Sequence, residues 1–197
     1  MPTPRGDLRR QQIVEAALAE IRTEAVADVQ LAAIAERAGM KASHVLYYFG
    51  SRDDVLIAAV AHAEQQLAAG RRERLEAIGD PLERLAAFVD AYLPDDRDDP
   101  VWKLWFEGWL RSRSRSEFAE VGAAADLAWR TDLVACLEHV RSGGGTLPEP
   151  PGGFARRFLF LLDGLAVHIL ADHIAVTEAK AHAMTALRSE LGTDPGV

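Results

Sequence analysis

Apolar residues along this chain recur at intervals of three and four, and no strand-like alternation stands out, so the pattern predicts a succession of amphipathic helices. Ile13, Val14, Ala17, Leu18 and Ile21 mark the buried stripe of a first helix running from Leu8 to about Ala25. Leu31, Ile34, Ala35 and Ala38 fall at i, i+3, i+4, i+7, and Gly39 follows as a left-handed C-cap. A third helix, from about Ala42 to Tyr48, is barely two turns long. Ser51 opens a capping-box-like SRDD, and Leu56, Ala59, Val60, Ala63 and Leu67 give the fourth helix its stripe. Further helices are predicted at about 80–93, 99–113, 117–141, 154–174 and 176–192. PDDRDDP (Pro94–Pro100) and SGGGTLPEPPGG (Ser142–Gly153) separate them, the second being the best flexible loop by its glycines and prolines. The fold class is therefore all-α, with about nine helices. A three-helix head (1–52) precedes a helical body (53–197), and a helix over 53–72 connects the two.

One predicted helix is unusual. In Phe154–His173, Phe158, Leu161, Leu162, Leu165 and Ile169 line one face, while Leu159, Phe160, Val167 and Leu170 cover much of the rest. A helix apolar nearly all round is buried on more than one side, so a partner subunit is expected on the side the core leaves. Ala179, Ala183, Ala186 and Leu187 let the next helix pack close beside it.

Composition sharpens the division between head and body. The net charge is −8, which argues against nonspecific nucleic-acid binding by the whole surface. Residues 1–52 nevertheless carry seven Lys/Arg against six acids, while the remainder carries fifteen against twenty-four. No apolar run approaches the roughly 20 residues of a membrane span. The start MPTPRGDLRRQQ lacks the apolar core of a signal peptide, so a cytoplasmic protein with no membrane partner is expected. The single Cys136 has no partner for an internal disulfide.

The chemistry concentrates in AGMKASHVLYYFGSRDDVL, Ala38–Leu56. Two short helices joined by about three residues around a glycine form a helix-turn-helix. Val45 and Phe49, four apart, face inward. The opposite face presents Ser43, Leu46 and Tyr47, with Lys41, Ala42 and His44 at the helix start. Small residues there let a helix enter a major groove, Ser43 and His44 suit base edges or phosphates, Leu46 a thymine methyl, and Tyr47 the backbone.

IAERAGMKASHVLYYFGSRDDVL resembles the reading motif of the TetR family of one-component transcriptional regulators, without insertion, with Ile34, Ala35, Ala38, Gly39, Phe49, Ser51 and Leu56 in register. The resemblance is specific over about residues 8–70. It implies DNA contacts at Gln30, Ala42, Ser43, His44, Tyr47, Tyr48 and Arg52, with Arg5, Arg9 and Arg10 as an arm toward the backbone. Arg52 stands for the family's usual lysine. Leu46 takes a place often held by tyrosine, Tyr48 that of a phosphate-binding histidine, Lys41 that of a capping serine, and Gln30 that of a threonine. The resemblance further implies a homodimer through the helices at about 154–174 and 176–192, which reads a palindromic operator on double-stranded DNA and is released by a small-molecule effector. Repression is the family's default.

The acidic body resembles the family's ligand-binding half. In VWKLWFEGWLRSR, Trp102, Trp105, Phe106 and Trp109 fall at i, i+3, i+4, i+7, a stripe that suits core packing or an aromatic wall for an organic cation. Glu107, Asp163 and Asp172 are candidate acids, and Trp129, Phe160 and His168 candidate walls. WKLWFEGWLRSR with LAWRTDLVACLE looks like the branch that includes the choline-responsive repressors of betaine synthesis, so a cationic or aromatic effector is expected. His168, Asp172 and His173 do not share one face of a helix, which favours a hydrogen-bonded histidine over a metal site. RSRSRS (Arg111–Ser116) reads as a solvated helix end.

No cofactor is implied. Phosphate-binding glycine loops, nucleophile elbows and zinc-helix motifs are absent from the sequence, and Gly143–Gly145 lacks both the lysine and the preceding strand of a phosphate loop, which sets aside a helical-bundle enzyme. A DNA-binding regulator governed by a protein partner, or by nothing, is the other alternative.

Overall fold

The computed structural model describes residues 4–147 and 150–192, which form ten α-helices and no strand. They are α1 (Pro4–Thr23), α2 (Leu31–Arg37), α3 (Ala42–Phe49), α4 (Arg52–Ala68), α5 (Arg71–Glu76), α6 (Pro81–Tyr92), α7 (Pro100–Arg111), α8 (Ser116–Ser142), α9 (Pro151–Leu170) and α10 (Val176–Glu190). The all-α expectation holds, with one helix more than the pattern predicts. The helix expected over 53–72 stops at Ala68 because Gly70 adopts a left-handed φ of +82°, and α5 begins directly after it. The helix expected over 154–174 likewise ends early, at Leu170, before a left-handed Asp172 with φ of +58°. Of the Ser142–Gly153 loop, Pro148 and Glu149 lie outside the described residues, and α9 starts within its last three.

Several boundaries follow from single side chains. Asp80 accepts hydrogen bonds from the amides of Leu82 and Glu83 at 2.9 and 2.8 Å, and Pro81 occupies the first turn of α6. Asp99 does the same for Val101 and Trp102 at 2.9 and 3.2 Å, with Pro100 beside it. Each cap satisfies amides that the helix leaves open, worth about 1 kcal/mol.

The helices form two compact units. The first comprises Met1–Gln66 and Asp98–Ala123. Ile13, Ala17 and Ile21 of α1 are buried with Ile34 of α2, Val45 and Phe49 of α3, Leu56 and Val60 of α4, Leu104 of α7 and Phe118 of α8. A Cβ on Gly108 would lie 3.2 Å from the Phe118 ring, so this glycine sets how closely α7 and the start of α8 approach.

The second unit comprises Leu67–Arg97 and Ala124–Val197. Its buried residues include Leu85 and Phe88 of α6, Leu133 and Leu137 of α8, Phe158 and Leu162 of α9, and Ala179, Ala183 and Leu187 of α10. Phe154 and Phe158 stack with ring centroids 5.8 Å apart, and the alanines of α10 allow close packing on α9. Cys136 is buried, and desolvation raises its thiol to about 11, so it is neutral at physiological pH and packs as a small apolar residue. On α9 the inner face is covered, whereas Phe160 and Leu161 are 58% and 39% exposed. Among the described residues no helix is long and apolar enough to cross a membrane.

Candidate functional site

In the first unit α2 and α3 meet through a tight turn. Gly39 has φ of +65°, a value few L-residues adopt, and the next amide, of Met40, donates back to the Ala35 carbonyl at 2.8 Å. α3 starts after Lys41, whose side chain makes no capping hydrogen bond. Val45 and Phe49 point into the core, which turns the opposite face of α3 outward. Ser43, His44 and Lys41 are exposed there, Leu46 is 43% exposed and Tyr47 83%. An aromatic residue so uncovered is unusual, because its burial would stabilise the fold. Tyr47 and Tyr48 meet in a T-shaped contact, with ring centroids 5.4 Å apart.

Beside this face lies a groove of about 740 Å³, lined by Arg5, Gly6, Arg9, Gly39, Met40, His44, Tyr47 and Tyr48. It gathers two guanidinium groups, an imidazole and two phenols around the start of α3, a donor-rich surface suited to phosphate oxygens. Arg9 also donates to Gln12 at 2.9 Å. Arg10, expected in the arm, is exposed and folds back onto α3. Its guanidinium lies 4.2 Å above the Phe49 ring and donates to the Tyr48 carbonyl, which ties α1 to the end of α3.

Arg52, expected at the DNA surface, turns inward. Its Nε donates to the Val29 carbonyl at 2.6 Å and its Nη2 to the Val26 carbonyl, so it closes the loop between α1 and α2. Gln30 is exposed and donates to the Asp28 carbonyl at 3.1 Å, and Ala42 is half-buried. At the start of α4, Ser51 accepts from the Asp54 amide at 3.1 Å and donates to the Asp54 carboxylate at 2.6 Å.

In RSRSRS, Arg113, Ser114 and Ser116 are exposed as expected of a solvated end, whereas Arg111 and Arg115 are paired. Arg111 bonds Asp53 at 2.9 Å and Glu107 at 2.5 Å, and Arg115 bonds Asp54 at 2.9 Å. The Ser51 hydroxyl, and then Arg115, hold the Asp54 carboxyl below its usual range. The residues that end α7 and precede α8 thus clamp the first turn of α4, one turn of chain from α3. Sequence inspection missed this role because nothing local pairs those arginines with acids some 60 positions away.

The aromatic candidates divide between the units. In the first, Trp102 is buried edge-on against Trp109 at 6.2 Å, and Trp105 donates its indole N–H to Glu64 at 2.6 Å. Phe106 and Trp109 are 42% and 41% exposed. In the second, Trp129 is buried between Phe88 at 5.7 Å and Tyr92 at 4.9 Å, both edge-to-face. The Tyr92 hydroxyl donates to Asp163 at 2.7 Å. Burial raises the Asp163 carboxyl above its ordinary range, and the Tyr92 hydrogen bond only partly opposes this. Arg71 stacks on Trp129, its guanidinium carbon 3.6 Å from the ring centroid.

That arginine is 2% exposed and forms a paired contact with Asp132, Nε and Nη2 lying 2.8 and 2.7 Å from Oδ2, while Arg72 holds Oδ1 at 3.1 Å. The structure therefore brings Trp129 and Asp163 together, through Phe88 and Tyr92, which sequence reading did not single out. Their i, i+4 spacing on α6 was the available signal. Phe160 lies apart on the exposed face of α9, under Arg156 at 5.7 Å, and His168 pairs with His173 at the end of that helix.

Comparison with known proteins places both halves. Residues 13–59 match the family described as bacterial regulatory proteins, tetR family, and residues 81–192 match the BetI-type transcriptional repressor, C-terminal, family. The HTH-type transcriptional regulator BetI of Stenotrophomonas maltophilia is 32% identical over 161 residues, covering 80% of this chain and 79% of the relative. A transcriptional regulator from Saccharomonospora viridis, solved in complex with choline, superposes with a TM-score of 0.82 at 22% identity, over 91% of this chain and 95% of that one. A TetR transcription regulator from Haloarcula marismortui gives 0.78 at 20% identity, over 94% and 97%.

Proposed function

This chain belongs to the TetR family of transcriptional regulators, with the C-terminal half of the BetI-type repressors, and from that premise we propose how it reads DNA and what releases it. It is a DNA-binding repressor with a ligand-binding C-terminal domain, and not an enzyme. Members of the family bind DNA and usually act as dimers. In our reading residues 1–52 contact DNA and 53–197 bind the effector and the second subunit. A homodimer formed through α9 and α10 presents two α3 helices to successive major grooves of a palindromic site. The observation that carries this is the outward face of α3, where an 83%-exposed Tyr47 and an exposed His44 stand beside the groove of Arg5 and Arg9. Phe160 and Leu161, exposed on an otherwise apolar α9, support the dimer. Selection of bound sequences from a random DNA pool tests it. Palindromes with half-sites about 34–36 Å apart or somewhat more are expected, and failure to enrich any duplex would count against it.

We propose a small organic cation as effector, accommodated near Trp129, Tyr92, Phe88 and Asp163. Ring faces beside a carboxylate attract a cation, and the stacking of Arg71 on Trp129 supports a ring cluster that tolerates positive charge. The choline held by the Saccharomonospora regulator makes choline the first ligand to try. Because the Asp163 carboxyl is raised by burial, it must lose its proton to face a cation. Affinity for choline is therefore expected to fall as pH drops through the raised Asp163 range, the opposite of a site that binds the neutral acid. Asp163→Asn is expected to weaken binding at least about tenfold, given up to about 4 kcal/mol between unit charges at close range in a partly buried site. Calorimetric titration of choline across pH, with tryptophan fluorescence and operator release followed in parallel, checks both. Equal affinity in Asp163→Asn would remove Asp163 from the site.

A further inference from the structure

On an unbroken helix His173 points away from the face that His168 and Asp172 share. The chain is broken at that point. α9 ends at Leu170, Asp172 adopts φ of +58°, and the His173 amide donates to the His168 carbonyl at 2.9 Å. The turn folds the chain back so that the two imidazoles meet. Their Nδ1 atoms are 3.1 Å apart, with ring centroids at 5.3 Å and planes tilted by 45°. Both residues are exposed.

The geometry points to a bidentate imidazole site, His168 Nδ1 with His173 Nδ1, for a late first-row divalent ion, Cu²⁺ before Ni²⁺ or Zn²⁺. Imidazole nitrogens bind such ions at about 2.0–2.1 Å, and two of them 3.1 Å apart then subtend roughly 100° at the metal, between the square and tetrahedral values. The backbone brings the two side chains to the same end of the helix. The Asp172 amide donates to Ile169 at 3.0 Å and that of Ala171 to Val167 at 3.0 Å, so the turn carrying His173 is fixed to the last turn of α9. A left-handed backbone at a non-glycine residue is a cost that this turn retains. The ion would also sit at the C-terminal, negative end of a 20-residue helix. Asp172 is held by Arg97 at 2.6 Å, leaving water to complete the coordination sphere.

Among the described residues no cluster of three or more ligating side chains occurs, so this is a two-ligand site. It binds reversibly and more weakly than a four-ligand structural zinc site. With no metal, one imidazole N–H faces the other ring's lone pair, and the ion replaces that hydrogen bond. Its effect is to fasten the end of α9 to the turn that leads into α10.

Titrating the full-length, tag-free protein with CuCl₂, NiCl₂ and ZnCl₂ by calorimetry tests the site. One ion per chain is expected, bound most tightly for Cu²⁺, with two nitrogen ligands in the Cu²⁺ electron paramagnetic resonance spectrum. His168→Ala and His173→Ala are each expected to weaken binding by about tenfold or more, and His182→Ala on α10 to leave it unchanged. Both rings are exposed, so the variants should retain the parent circular dichroism. Metal affinity indifferent to both substitutions, or no binding to the parent at millimolar ion, would overturn the assignment.

Discussion

Operator affinity of Tyr47→Ala is expected to fall by about thirtyfold or more, with the fold intact. A side chain in direct contact with DNA contributes about 1–3 kcal/mol, and a dimer loses the contact in both half-sites, so about 2–6 kcal/mol is at stake. Tyr47 is 83% exposed, so its removal should leave stability nearly unchanged. His44→Ala is expected to act in the same direction, with a shallower salt dependence if its partner is a phosphate. Fluorescence anisotropy with a selected operator, beside thermal melts of each variant, separates the readouts. Unchanged affinity in the double variant would mean that the outer face of α3 does not touch DNA.

Asp132→Ala is expected to destabilise the second unit by about 3–5 kcal/mol. Asp132 is 6% exposed and neutralises Arg71, which is 2% exposed and stacked on Trp129. Removing the carboxylate leaves a buried guanidinium whose Nη1 already finds no acceptor among the described residues. The corresponding drop in melting temperature is on the order of 10 °C for a chain of this size. A paired replacement, Asp132→Leu with Arg71→Met, should recover much of the loss, because exchanging both members of a buried ion pair for apolar side chains is often neutral. Denaturant titration of the two proteins checks this. A single variant as stable as the parent would show that Arg71 has found another counter-charge.

Why α3 was legible and the ring cluster around Trp129 was not follows from how far each feature reaches along the chain. Gly39, Val45, Phe49 and Ser51 act on neighbours within a few positions, so turn, inward face and cap could be placed from spacing alone. Arg10 and Arg52 could be recognised as cations near that motif. Their targets are backbone carbonyls 38 and 23 or more positions away, which no local pattern encodes. α5 escaped notice because an apolar stripe continuing to Leu67 hides a stop that one left-handed glycine imposes. The tryptophan repeat on α7 drew attention for its composition, whereas the ring cluster around Trp129 draws on α5, α6 and α8 and exists only once they pack.

The clamp of Arg111 and Arg115 on Asp53 and Asp54 gives ionic strength a second point of entry into gene control. Added salt competes with the reading head for phosphates, and it also screens four half-exposed charges that fix the helix following α3. Operator occupancy is then expected to fall with added salt more steeply than phosphate contacts alone would dictate, which binding measured over a salt series checks.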